Sequence, residues 1–386
     1  MTLLRFSIGL VVFIFSCSVE SKSIQLSTFA THSYSFNHPS RMEWADSITS
    51  LHYTLTEYLY LNSNTHGLMR LSRSIPILFL EYSLSHTVAR VIHDSGARTY
   101  LFNTHLNNRF SNPYAPLVAH WDMYVNALFD YQFIYQSLPY QTLSLNQKAA
   151  AYSSSINSNT AYASHMNTMS LIKNRYHYLE STDSYANKLF GVMQFKEFSR
   201  HNTTYLLALN QNGSSVSRAD IYNWYLGSAL LSGSTINHLK TVYTYATTSQ
   251  FDTQPLSVSI SPITVYIPEL SVYLHPQSVT LHSDFIFRYR SYTLLSIGYE
   301  TVIEGNPLSN EISATIQSTF QSYTYCLTGV INTTRDTFYS LYLEHPIQPN
   351  LSLFYTLFIG NSRTLHQQRV WGSSDNAFGA GCRIHF

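Results

Sequence analysis

The chain has 386 residues, 22 Lys+Arg against 21 Asp+Glu, a formal charge of +1 and only 11 % charged residues, while aromatics reach 15 % with 31 Tyr among them. So small a net charge excludes a nucleic-acid surface held by a basic field, and so few charges exclude an acidic, solvated chain. A Tyr-, Ser- and Thr-rich sequence poor in charge is compatible with a secreted sandwich, or with a barrel that turns an apolar wall to lipid and a polar face inward.

The first 23 residues read as a targeting segment. Arg5 precedes an apolar run from Ile8 to Phe15, followed by the small residues of "SCSVESKS", and the run is too short to span a bilayer. Cleavage after Ser21 fits this pattern. Lipidation at Cys17 is the alternative, because "IFSC" partly matches a lipobox. If Cys17 leaves with the leader, only Cys326 and Cys382 remain, so this is not a disulfide scaffold, and no cysteine or histidine spacing calls for zinc.

Residues 24–255 are expected to form a mainly helical domain. Trp44, Ile48, Leu51 and Leu55 recur near the 3.6-residue period, as do Leu117, Trp121, Tyr124 and Leu128. Further helices are predicted over 159–179 and 181–195, and over 217–233 with Ser217 as N-cap and Gly233 as the stop.

Within "FLEYSLSHTVARVIHDSGAR", Tyr82, His86, Arg90 and His93 fall on one helical stripe. Two histidines on such a face could hold a metal or move protons. A zinc-protease helix, however, would carry His and Glu where Tyr82 and Ser83 stand. The bland alternative is a polar seam packed between helices. No catalytic or cofactor fingerprint occurs elsewhere, and neither a metal nor a cofactor is expected.

From residue 256 the period changes to two. In "SVTLHSDFIFRYR", Val279, Leu281, Phe285, Phe287 and Tyr289 alternate with His282, Asp284, Arg288 and Arg290. Comparable runs near 263–274, 292–303, 311–321, 323–333, 336–345, 350–360 and 376–386 bring the expectation to about eight antiparallel strands. Their length suits a tilted membrane crossing, and an even number can close on itself. Arg383 and His385 of the last run would join His282, Asp284, Arg288 and Arg290 in a narrow lumen, where charges should pair into a plug.

The last run, "NAFGAGCRIHF", resembles the terminal strand of bacterial outer-membrane β-barrel proteins, with Gly381, Ile384 and Phe386 at the glycine, hydrophobic and terminal aromatic positions of their assembly signal. Gly379 stands where a polar residue is usual. The resemblance covers the last third of the chain. It implies an α+β protein: a helical periplasmic domain followed by an outer-membrane barrel over 256–386, read by the barrel assembly machinery and set in outer-membrane lipid. The helical part would then bind a periplasmic protein partner. The rival expectations are a membrane-tethered, degenerate metalloprotease-like hydrolase, a soluble helical plus β-sandwich protein, and a larger pore built from several chains.

Overall fold

The computed structural model describes residues 141–360 apart from short gaps, together with Ser23–Leu26, Ala89, Ile92, His93, Thr364, Leu365 and Asn376–His385. The expected leader, the helices expected before residue 141, and Tyr82, His86, Arg90 and Phe386 lie outside the described residues.

Five long helices occur among these residues: α1 (Leu145–Ile172), α2 (Tyr178–Lys196), α3 (Arg200–Gln211), α4 (Arg218–Leu231) and α5 (Gly233–Thr248). Ser144 starts α1 and Ser217 starts α4, each through a reciprocal capping box that satisfies two of the free N–H groups at the helix end. The single helix expected over 159–179 is interrupted. Asn174 takes a positive φ of 51°, which Asn tolerates better than most side chains, and the chain passes through the short strand β2 (Tyr176–His177) before α2. Gly233 does not stop α4 but opens α5: its N–H donates to Pro268 O at 2.9 Å, and a Cβ there would collide with the backbone of Ile267.

Strand β3 (Asp252–Thr253) pairs with β2 in a small separate sheet. The main sheet is antiparallel and contains β1 (Ser23–Leu26), β4 (Ser257–Ile260), β5 (Ile263–Tyr266), β6 (Glu269–His275), β7 (Ser278–Tyr289), β8 (Thr293–Gly305), β9 (Glu311–Phe320), β10 (Tyr323–Asn332), β11 (Thr337–Gln348), β12 (Leu351–Gly360) and β13 (Asn376–His385). Neighbours follow the order β1-β13-β12-β11-β10-β9-β8-β7-β5-β4, and β6 lies beside the first half of β7. Each of the eight period-two runs thus appears as a strand, the first of them divided into β5 and β6 at Pro268.

The expected closed barrel does not appear: among the described residues the sheet is open, with β1 at one end and β4 and β6 at the other. The physical reason lies along β6. Helix α1 occupies the place a closing strand would take, and the Asn157 carboxamide bonds both backbone groups of Leu274, accepting from its N–H at 2.8 Å and donating to its carbonyl at 2.6 Å. Ser164 meets Ser271 at 3.0 Å, and Asn167 donates to Glu269 at 3.1 Å. With both backbone groups of Leu274 taken by Asn157, a strand added at that end of the edge would have to displace α1.

Helices and sheet share one core. Ile156 of α1, Phe195 of α2, Tyr205 and Leu209 of α3, and Ile221 and Tyr225 of α4 pack with Val272, Leu274 and Val279. At about 1.5–3 kcal/mol for each large apolar side chain fully buried, this cluster is the main attachment between the two parts.

Candidate functional site: an apolar outer face over a polar inner face

The ladder registers carry single apolar rows across the sheet. One row runs Val258, Val265, Phe287, Leu295, Ile316, Leu327, Leu341, Leu357 and Phe378, each residue the register partner of the next. A row on one side passes through Ile260, Ile263, Tyr289, Tyr325, Leu343 and Tyr355; a row on the other passes through Phe285, Ile297, Tyr339 and Ile359. Much of this face is open: Leu327 is 48 % exposed, Ile331 50 %, Tyr339 51 % and Ile359 52 %. Among the described residues, helices cover it only at the β6–β7 end, over Val272, Leu274 and Val279. The exposed run stops at Tyr289 on β7 but continues to Ile347 on β11, past the row shared with Leu343, so the band slants across the strands.

The opposite face is buried and sets polar and charged side chains among the apolar Ile286, Leu294, Val330, Phe338 and Phe354. His282, Arg288, Glu300, Glu311, Ser313 and Thr328 are all less than a tenth exposed. Exposed apolar and buried polar side chains on one sheet invert the arrangement of a soluble protein, where contiguous open apolar patches are small.

On that inner face His282 and Asp284 meet, Nε2 to Oδ2 at 3.1 Å, while Glu300 lies 3.7 Å from His282 Nδ1 and 3.5 Å from His275 Nε2. Thr280 donates to Glu300 at 2.6 Å, and Ser296 to Asp284 at 3.0 Å. These side chains close over Gly298, where a Cβ would overlap Ser313 Oγ and stand 2.8 Å from Asp284 Oδ1 and from His282 Cε1. Any larger residue there would require these side chains to shift.

The expected lumen set therefore divides. His282 and Asp284 meet on the inner face. Arg288 is buried, and its guanidinium donates to Tyr266 Oη at 2.7 Å and to the terminal carbonyls of α1, Leu171 and Ile172, the latter at 2.9 Å. A cation at a helix C-terminus meets both the dipole and its free carbonyls. Arg290 is a correction. It lies beyond β7 with φ 55°, exposed, where its guanidinium stands 5.3 Å from the Tyr289 ring centroid. Arg383, His385, Gly381 and Ile384 lie in β13.

Of the helical stripe, only His93 is described. It is fully buried, Nδ1 is 3.0 Å from Asn159 Oδ1, and its ring packs edge-on against Phe190 at 5.2 Å. That is a packed polar seam. Asn159 also donates to Ala89 O and to Asn187 Oδ1, linking three helical segments. Among the described residues no helix is long and apolar enough to cross a membrane, and no cluster of His, Cys, Asp and Glu is placed to hold a metal.

Sequence reasoning missed a second polar centre. Lys188 of α2 pairs with Glu269 of β6, their side chains 4 % and 2 % exposed. Lys188 also donates to Ser232 Oγ at 2.5 Å, and Glu269 accepts from the Ser234 N–H at 3.0 Å and its hydroxyl at 2.9 Å. Burial pulls the lysine below its ordinary range, and Glu269 opposes that fall. The one sequence signal was Lys188 amid the apolar and small residues of "YANKLFGVMQF", which alternation rules do not flag.

His238 of α5 is buried, its Nδ1 lies 3.1 Å from Ser181 Oγ, and its ring stacks on Tyr185. Burial lowers its pKa from 6.5 to about 3. The unfolded chain therefore takes up a proton below pH 6.5 that the folded chain refuses. Stability is complete above that pH and falls towards pH 3, by about 2 kcal/mol at pH 5. His238→Gln is expected to flatten this part of the stability curve, measured by urea unfolding between pH 7 and 5; an unchanged slope would assign it to other groups.

No protein-family model matches the chain, and no curated protein matches it either. Among solved structures it is similar to the outer membrane phospholipase A from Escherichia coli, at 14 % identity and a TM-score of 0.27, over 33 % of this chain and 55 % of that one. The chain thus spans about half the length of that protein, and the likeness is too slight to bear on fold or function.

Proposed function

We propose that this is an outer-membrane protein whose β4–β13 sheet is the membrane mount and whose helices form a periplasmic domain that binds a protein partner. One observation carries the reading: eight register-linked strands, β4, β5 and β7 to β12, present a continuous apolar row outward while the face behind it is buried and holds polar and charged side chains. In water that surface would be a liability; in lipid it is the required wall, and its slant matches strands tilted against a bilayer. Tyr289, Tyr325 and Tyr355 on one side of the band, with Tyr299 and Tyr339 on the other, resemble the aromatic girdles at the two interfaces.

Gly381, Ile384 and Phe386 would act as the assembly signal read by the barrel assembly machinery. The test is flotation of the expressed full chain with membrane vesicles, together with gel mobility before and after boiling. Co-flotation after a high-salt wash, with a heat-dependent mobility shift lost on deleting Phe386, is expected. Protein left in the soluble fraction without detergent would overturn the reading in favour of a soluble helical plus β protein.

A further inference from the structure

Helix α5 repeats, on a smaller scale, the inversion found in the sheet. Its buried positions are mostly polar: Ser234, Thr235, Asn237, His238 and Thr241, with Tyr245 the large ring among them. Its outward stripe is apolar. Ile236, Leu239 and Tyr243 follow at spacings of three and four, so they share one side of the helix. Leu239 is 60 % exposed and Tyr243 71 %, and Leu230 and Leu231 at the end of α4 are 53 % and 68 % exposed. From Ile221 to Phe251, Lys240 is the only Lys, Arg, Asp or Glu. A helix made for water turns its charges and amides out and its leucines in.

The stripe also has a defined place beside the apolar band. Lys240 Nζ donates to Gln254 O at 2.6 Å, and Asn237 Oδ1 accepts from the Leu256 N–H at 2.7 Å. The segment that leads into β4 is therefore held along the flank of α5. In β4, Val258 stands in the Phe287 row and Ile260 in the Tyr289 row. The chain thus enters β4 from the other side of the band, the side of Phe285 and Tyr299. That is one of the two levels at which tyrosines border the band.

Resting on the membrane reading above, we infer that the outer stripe of α5, together with Leu230 and Leu231, is an interfacial lipid-binding face. The helix lies in the plane of the bilayer surface at the level of Tyr299, with its leucines and the Tyr243 ring set among phospholipid headgroups and upper acyl chains. Among the described residues no helix is long and apolar enough to cross a membrane. An amphipathic helix settles instead about 5–10 Å into the headgroup boundary. Tyr243 and Lys240 suit that boundary, one as a ring with a polar tip and the other as a cation on an apolar stem. No carboxylate of α5 opposes the lipid phosphates. The helical domain is then pressed against the leaflet beside the sheet instead of hanging free of it.

The test uses full-length chain with Cys17→Ser, Cys326→Ser and Cys382→Ser, refolded into vesicles of phosphatidylethanolamine and phosphatidylglycerol. A nitroxide is attached at Leu239→Cys, Tyr243→Cys, Leu327→Cys or Gln211→Cys. Position 327 reports the band, and exposed Gln211 is the water control, close to Ser214, which meets Glu304 well beyond Tyr299 on β8. Collisions of each nitroxide with oxygen and with a water-soluble nickel chelate are compared. The oxygen-to-nickel ratio at 239 and 243 is expected to exceed that at 211 by about threefold or more and to stay below that at 327, as an interfacial depth requires. A ratio as high as at 327 would overturn that depth. Water-like ratios at 239 and 243, with a lipid-like ratio at 327, would overturn the α5 face and leave the membrane reading intact. Water-like ratios at all four positions would overturn both. A nitroxide immobilised and shielded from both reagents at 239 and 243 would show protein on the stripe and overturn lipid as its occupant. Tyr243→Asp is expected to return the ratio at 239 to the value at 211; an unchanged ratio would take Tyr243 out of the face.

Discussion

Lys188→Met is expected to destabilise the helix–sheet assembly by about 3–5 kcal/mol, because it leaves Glu269 as an uncompensated charge in the core. The loss is larger than for a surface pair, since neither side chain can turn to water: they are 4 % and 2 % exposed. It also spreads. Glu269 holds the start of α5 through Ser234 and the last turns of α1 through Asn167, so repelling the carboxylate loosens three elements at once.

The double variant Lys188→Met, Glu269→Gln removes both charges while keeping an acceptor for Ser234 and a shape that fits, and it should recover most of the loss. Unfolding followed by helical circular dichroism in urea measures both. If the single variant cost less than about 1 kcal/mol, the pair would be a relaxed, hydrated contact and the picture of a dry junction would be wrong.

Leu327→Arg should be the most damaging single change on the apolar face. Leu327 sits in the middle of the Phe287–Phe378 row and is 48 % exposed. In water, adding a charge at such a position changes stability by no more than about 0.5 kcal/mol. Against the middle of a bilayer the same change costs about 2–4 kcal/mol, falling to about 0–1 near the interface. Ile331→Arg is the depth control, because Ile331 lies at the end of β10 next to the Asn332–Asp336 turn. Refolding into vesicles of defined thickness should lose far more yield for Leu327→Arg than for Ile331→Arg. Equal and small effects would mean that this face meets water.

The strands were legible because alternation is a local property: Phe285, Phe287 and Tyr289 can be separated from His282, Asp284 and Arg288 without knowing any partner. The N-cap of α4 was legible for the same reason, since Ser217 and Asp220 satisfy each other within one turn. Helix α1 was legible only in its second half. Its run "SSSINSNT" has poor helix formers, and their burial makes sense only once Asn157 is seen against Leu274 and Asn159 against Asn187. The partners of Arg288 were not legible, because the α1 carbonyls it binds are more than a hundred residues away in sequence.

The sequence by itself determined which residues of each strand share a face, that one face is apolar and the other polar, and that charge plays little part in steering the protein. Each of these depends on side-chain type and a period of two. Only the tertiary structure decided where the sheet ends, which strands touch, and that Lys188 and Glu269 meet. Those outcomes depend on competition for backbone hydrogen bonds and buried volume among segments far apart in the chain. At β6 the competitor that holds the edge is a helix.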